Sequence, residues 1–404
     1  MNVLYVYDGH WPFQATRPIK QSDVLLSAGH HVTMLSRGSP AAPRSERHGN
    51  LSVERLPSVR SRLLDRLVNY PVFLNPYWLR HILKHARRSQ ADCIIVGDLP
   101  LAPAAVLAGR REGVPVHYDM AEVYPVAMHS VLPHESSAAL KVARASRAAD
   151  AVERWVLFRV ATTFVVSDES RDRCLRLGVP PERVVLVGNT PANAEALRAE
   201  WPVPADIADL VSASGRMVIF IGNVYADRGL AYAIEAMAHV VREIPNAVLV
   251  IVGEGRERPN LEAQVARAGL GAHVRFLGWK HHSEHPAYLR HAHIGLLPFM
   301  DTQHIRITLA NKLFDYMGAG VPIVASDVPS MRRVIEETGT GVLAPAGDGA
   351  TLAKALIQLF QRDDLRAAMG AKGLAAIAGP YDWGKDADRF LEAIERDRGT
   401  LVES

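Results

Sequence analysis

The feature that most constrains this chain is a rhythm that runs twice. Short apolar runs, each stopped by a polar residue, alternate with helical stretches. In the first half "NVLYVY" stops at "DGH", and "DCIIVGD", "VPVHYDM" and "TTFVVSD" repeat the device. "TRPIKQSDVLLSAGHHVTMLS" reads as helix, glycine turn and strand. Short runs this apolar suit strands buried on both faces, and strands alternating with helices imply a parallel sheet. The pattern restarts at "RMVIFIGNVYADRGL" and continues through "AVLVIVGEG", "VRFLGW", "HIGLLPF", "VPIVAS" and "GVLAPAG". Between the halves lies "EALRAEWPVPADIADLVSASG", richer in Ala, Pro and Ser, which places a hinge near 195–214. The expected fold class is α/β, with two Rossmann-like doubly wound domains, 1–197 and 210–380, facing across a cleft. A last helix, 382–398, is expected to return to the first domain. Ligands of such sheets bind beyond the carboxyl ends of the strands, so the loops there are where chemistry is sought.

Composition excludes several classes. A net charge of +3 implies no strong polyanion partner overall. Two cysteines, Cys93 and Cys174, far apart in sequence, exclude a multi-bridge scaffold and suggest a reducing compartment. "MNVLYVYDGH" lacks a basic leader and its apolar run is short, and no run reaches the length of a membrane span. The expectation is a cytoplasmic protein. One stretch stands out. Arg55 to Arg88 holds eight Lys/Arg against one acidic residue, Asp65, with Tyr70, Phe73, Tyr77 and Trp78 interleaved. It reads either as a solvated helical face or as a peripheral contact with anionic lipid at the inner membrane face. No recognition motif for nucleic acid accompanies it.

Two segments suit a phosphate. In "FIGNVYADRG" a strand ends at Gly222 and a helix begins near Arg228 or Gly229. Unsatisfied N–H groups at a helix start favour an anion, and Arg228 adds a cation. Alone, the segment also reads as an ordinary turn. In "TLANKLFDYMGAGVPIVAS", Leu309, Leu313 and Met317 share an apolar face, Thr308 is a candidate cap, and Lys312 and Asp315 are neighbours on another face. Alone, they read as a surface ion pair. Together, Arg228, Lys312 and two helix starts can surround a pyrophosphate, with Asp315 placed to accept hydrogen bonds from a ribose diol. "VGEG", with Gly253 and Glu254, is a further glycine loop but no dinucleotide fingerprint, because Arg258 stands three beyond Gly255.

"SAGHHVTMLS", "VSDESRDRCLRLGVPPERVVLVGNTP", "GNVYADRGLAYAIEA", "LVIVGEG…HVRFLGW…AYLRHAHIGLLPF" and above all "NKLFDYMGAGVPIVASDVPSM", in this order, resemble the retaining family 4 glycosyltransferases of the GT-B type. The resemblance implies transfer of a sugar from a nucleotide-diphosphate sugar to a glycan, lipid-linked or small-molecule acceptor, with retention, no metal and no other cofactor. It implies a donor site of Gly222, Asn223, Arg228, Gly253, Glu254, Leu277, Thr308, Leu309, Lys312 and Asp315. Arg228 matches the family's basic residue in that loop, and Asn223 replaces a common arginine. Asp315 stands at the second of two family glutamates, and Ile307 replaces the first. On the acceptor side the resemblance points to Gly9, His10, Arg17, Asp119 and Glu122. Ala121 stands where the family carries a histidine, and His10 is a candidate for that space. Arg228, Lys312 and His10 are the catalytic candidates, with base contacts expected near Phe276 to Trp279.

Other patterns read as plain structure. "DAD", 386–388, imitates a metal motif, but its carboxylates point apart on a helix, which suggests a solvated face. "KHHSEH" and "HAH" lack the shaped ligand set of a zinc site. His117 and His304 read equally well as core or loop residues, and Cys93 as a small buried one. Two other functions stay open at this point: a nucleotide-sugar epimerase on the same scaffold, and a catalytically weakened glycan- or nucleotide-binding homologue.

Overall fold

A computed structural model describes residues 1–12, 16–38, 42–57, 73, 75–131 and 138–397. The chain divides into two compact units, Met1–Gly188 with the chain from Gly384 onward, and Asn189–Trp383. The division falls at 188/189, upstream of both the expected domain end at 197 and the expected hinge. Asn189 donates to the Leu309 carbonyl at 3.4 Å and Leu197 packs in the second unit's core, which ties this segment there.

The first unit carries β1 (Asn2–Val6), β2 (His31–Ser36), β3 (Ser45–His48), β4 (Leu51–Arg55), β5 (Cys93–Gly97), β6 (Val116–Met120), β7 (Thr162–Val165) and β8 (Val184–Leu186). Their order is β3-β4-β2-β1-β5-β6-β7-β8. All pairs are parallel except β3 with β4, a hairpin at the sheet edge. The sequence reading misses that hairpin. "SERHGNLSVER" has no apolar run, because the charged edge strand β3 faces solvent. The final helix, Trp383–Arg396, belongs to this unit. Phe390 packs its ring 4.9 Å from that of Phe164 in β7, and Arg389 donates to the Leu186 carbonyl at 2.9 Å.

The second unit carries β9 (Arg216–Ile221), β10 (Ala247–Val252), β11 (Val274–Gly278), β12 (Ile294–Leu297), β13 (Ile323–Ser326) and β14 (Gly341–Ala344). All run parallel in the order β11-β10-β9-β12-β13-β14. β10, "AVLVIV", is buried along its whole length, as a strand covered by helices on both faces must be. The chain winds outward from β9 to β11, then crosses back to β12 and winds the other way. Such a switch point leaves a crevice where the two central strands diverge. Here the register of β9 with β12 ends at Gly295 opposite Ile219. The buried Tyr316 hydroxyl occupies the gap, accepting from the Ile221 N–H at 3.1 Å and donating to the Ile219 carbonyl at 3.3 Å. Gly295 makes room for the ring: a Cβ there would lie 2.4 Å from it.

Two sequence expectations lie partly outside the described residues: the basic stretch 55–88, at 58–72 and 74, and the loop after β1, at 13–15. Arg55 ends β4, and residues 76–88 of the basic stretch lie in the helix Pro76–Ser89, capped by Asn75. Trp78 and Ile82 turn inward, while Arg80, Lys84, Arg87 and Arg88 are exposed. No helix among the described residues is long and apolar enough to cross a membrane.

Replacing Tyr316 by Phe keeps the packing but strands the Ile221 N–H in the core. The expected loss is on the order of 1–3 kcal/mol, read as a lower denaturation midpoint. An unchanged midpoint would mean that the hydroxyl does not bridge the strands.

Candidate functional site

The second unit's switch point is lined by loops whose backbones touch. Gly253 has no room for a side chain, because a Cβ would lie 1.8 Å from the Gly222 carbonyl. Gly229 adopts φ +67, and a Cβ there would lie 1.7 Å from the Pro298 carbonyl beyond β12. The Val224 N–H donates to the Glu254 carbonyl at 2.9 Å, and the Met300 N–H to the Asp227 carbonyl at 2.9 Å. The loops after β9, β10 and β12 are therefore fastened together. Arg228 rides on them in the short turn Ala226–Arg228. Its guanidinium lies over the buried Phe299 ring, 4.9 Å from the centroid, with the Asp227 carboxylate 3.8 Å away. The next helix, Leu230–Glu243, starts at Gly229 without a side-chain cap.

On the other side of the switch point the expected helix begins later than Thr308, and a short helix precedes it. Thr302 caps Gln303–Ile307, and a second helix spans Asn311–Gly318. The second helix takes Ala310 as its N-cap, with no side-chain hydrogen bond, so Thr308 is not its cap. Thr308 sits two residues too early, and its hydroxyl lies 3.5 Å from His304 Nδ1. Leu309 is buried in the link. In the first turn of this helix, Lys312 Nζ donates to Asp315 Oδ2 at 2.7 Å and to His285 Nδ1 at 2.9 Å. Lys312 and Asp315 side chains keep 20% and 19% of their exposure, so the pair is half sunk rather than the surface pair that spacing alone suggests. Burial, then the Lys312 charge, pushes the His285 imidazole down to about 3, and it accepts as a neutral ring.

The structure thus gathers Gly222, Asn223 and Arg228 after β9, Gly253 and Glu254 after β10, and Thr308, Leu309, Lys312 and Asp315 after β12, with Leu277 at the end of β11. All sit at carboxyl ends of four neighbouring parallel strands. Asn223 is exposed, while Glu254 is engaged with Arg258.

The first unit repeats the topology, with its switch point between β1 and β5. Arg17 and Asp119 do not face an acceptor, however. Both are buried, and Arg17 Nη2 donates to Asp119 Oδ1 at 2.7 Å while Nη1 donates to the Val187 carbonyl at 2.9 Å. A buried guanidinium needs that partner, so this pair is scaffold. His10 and Glu122 are exposed. Gly9 lies so close to Tyr7 that a Cβ would fall 2.4 Å from its ring. The sequence reading misses Asp98, which follows β5 at the switch point with φ +64. Burial, then the carboxylates of Glu122, Asp119 and Asp8, pushes its carboxyl up to about 7. The signal was present in "IIVGD": an acidic residue at the carboxyl end of a central strand.

Against this geometry, the comparisons with known proteins agree. The family described as "Glycosyl transferase 4-like domain" matches residues 23–190, and "Glycosyl transferases group 1" matches residues 215–362. This chain belongs to the GT4-like glycosyltransferases. Phosphatidyl-myo-inositol mannosyltransferase of Mycobacterium leprae is 35% identical over 45% of this chain and 46% of its own, so the match spans about half of that relative. 2-Deoxystreptamine glucosyltransferase of Streptomyces kanamyceticus is 28% identical over 83% of this chain and 86% of its own. The Anabaena HepE structure in complex with UDP superposes with a TM-score of 0.70 at 16% identity, covering 98% of this chain and all (100%) of that one. The fold is GT-B.

In this glycosyltransferase the histidine-rich segments make local hydrogen bonds. His281 caps a turn by accepting from the Ser283 N–H, His285 holds Lys312, and His293 Nδ1 accepts from the Met217 N–H at 3.2 Å. His117 is a core residue stacked near Phe164, and His304 is buried. The expected solvated face at 386–388 needs correction. Asp386 is buried and paired with Arg389, while Asp388 alone is exposed. Cys93 and Cys174 are free and buried, and burial pushes each thiol up to about 12.

Asp98 sets a pH dependence of stability. The folded carboxyl keeps a proton that an unfolded one, at its usual 3.8, releases. Stability contributed by that proton is therefore lost as pH rises from about 4 to about 7, and is level above. Asn tolerates the same positive φ. Asp98→Asn should match the wild-type melting temperature near pH 4 and exceed it at pH 8, with a gain on the order of 2 kcal/mol. An equal or lower melting temperature at pH 8 would contradict the assignment.

Proposed function

We propose that this chain transfers a sugar from a nucleoside-diphosphate sugar to an acceptor hydroxyl, with retention and without a metal. The carrying observation is that Arg228 follows β9 and Lys312 follows the adjacent strand β12, each beside a helix start that no side chain caps. Exposed amides and fixed cations are what a diphosphate needs. Asp315 is offered to the ribose diol through Oδ1, since Oδ2 takes Lys312.

Transfer breaks the bond between sugar C1 and the diphosphate oxygen, and negative charge grows on the leaving phosphate. Groups aimed at that charge lower the barrier. Arg228, Lys312 and the amides stabilise it. The acceptor oxygen bonds to C1 from the leaving-group side, and its proton passes to the departing phosphate. No side-chain nucleophile enters this sequence. Ile307 offers no carboxylate to the sugar where the family has one. On the acceptor side His10 and Glu122 are the groups left available, while Arg17 and Asp119 act as scaffold.

HepE was solved with UDP, which makes UDP the first donor nucleotide to try. Two relatives' names carry myo-inositol and 2-deoxystreptamine, both hydroxylated six-membered carbocycles, and this is the acceptor class we put forward. The row Arg80, Lys84 and Arg88, four residues apart on one helix face, fits peripheral contact with anionic lipid. No observation on the molecule favours an epimerase.

Arg228→Ala and Lys312→Ala should each lower turnover of a labelled nucleotide sugar about 10²–10³-fold with the fold retained by circular dichroism. Near-normal turnover in both would overturn the site, and nucleotide binding by the wild type without turnover would favour the weakened-homologue reading. In flotation with vesicles, the wild type should rise with those containing acidic lipid and remain behind with neutral ones. Replacing Arg80, Lys84 and Arg88 together by Gln should abolish the difference.

A further inference from the structure

Lys312 has three N–H donors on its ammonium. Two are committed inside the protein, one to Asp315 Oδ2 at 2.7 Å and one to His285 Nδ1 at 2.9 Å. Among the described residues nothing takes the third. The two acceptors come from different places: Asp315 from the same helix, and His285 from the start of the helix His285–Leu289, which follows β11. A lysine held by Asp315 alone would swing about one tether on a four-carbon stem. Two tethers from separate elements fix where the remaining N–H points.

His285 is suited to this because its partner fixes Nδ1 as an acceptor. Lys312 can only donate, so Nδ1 must accept. The ionisable groups facing the ring are Lys312, Asp315 and His282. Beside the Lys312 ammonium the ring stays neutral, so it tethers the cation without neutralising it. Asp315 alone supplies the counter-charge, and the ammonium keeps its attraction for an anion.

We propose that His285 is a positioning residue for the donor site, a neutral acceptor that aims the third Lys312 N–H at the donor diphosphate. This rests on Lys312 being a phosphate-binding cation, as proposed above. His285 touches no reacting atom and acts through Lys312.

The test measures binding by calorimetry. The probe is whichever of UDP, GDP, ADP and dTDP raises the wild-type melting temperature most. Four proteins are compared: wild type, His285→Ala, His285→Asn and His285→Leu. Asn can return an acceptor near Nδ1, whereas Leu returns the packing and no acceptor. The proposal predicts about 10-fold weaker binding for Ala and Leu, with Asn within about 3-fold of wild type. It also predicts that the Ala defect largely vanishes when Lys312 is already Ala, since the two then act as one unit. Rescue by Leu but not by Asn would show a packing role and overturn the proposal. So would an unchanged affinity in His285→Ala. Should no diphosphate bind the wild type, the donor-site reading itself fails, which is a separate result. If His285→Ala does not fold, the contrast between Asn and Leu still decides.

Discussion

β9 and β12 part beyond Gly295, and the structure of the second unit follows from how that parting is managed. The gap is bridged at its root by one hydroxyl, that of Tyr316, and is left open at the carboxyl ends. Tyr316 lies on the same helix as Lys312 and Asp315. The contact that closes the sheet's seam therefore also fixes the helix that carries the charged pair. Gly229, pressed against the Pro298 carbonyl, ties the Arg228 turn to the strand beyond the gap. Two cations, one on a turn and one on a helix, are thus referred to one seam, the preorganisation that the proposed stabilisation of a leaving group requires.

The two units use one topology with opposite electrostatics. At the first switch point the buried Arg17 is neutralised by Asp119, and Asp8, Asp98 and Glu122 gather near the same strand ends. At the second switch point Arg228 is balanced loosely by Asp227, and Lys312 shares Asp315 while keeping a donor to spare. Carboxylates gather at one switch point and loosely balanced cations at the other, where the strand order alone shows no difference.

The sequence announced what repeats and hid what is particular. Buried parallel strands are continuous apolar runs, so β1, β9 and β10 are plain in the chain, as are the loops that follow them. The β3–β4 hairpin is invisible because its edge strand is polar and solvent-facing. Lys312 and Asp315 are legible as helical neighbours. Their third partner, His285, lies 27 residues upstream in a segment whose histidines suggest a metal or nothing, and only tertiary packing joins them. Arg17 was visible as a cation but not as a buried one, because its partner Asp119 is 102 residues away. Thr308 looked like a cap because Leu309 fits the apolar spacing of the helix, yet Leu309 and Ala310 form a link and the helix starts at Asn311. In each case the local pattern was sound, and a long-range contact decided its meaning.

The central claim is that the second unit clasps a diphosphate by charge. The most direct measurement is calorimetric affinity of the wild-type protein for a nucleoside diphosphate and for its monophosphate, at low and high salt. The account predicts that the diphosphate binds at least about 10-fold more tightly and that added salt narrows the gap, since each phosphate meets a fixed cation. Equal affinity for the two nucleotides, indifferent to salt, would contradict it.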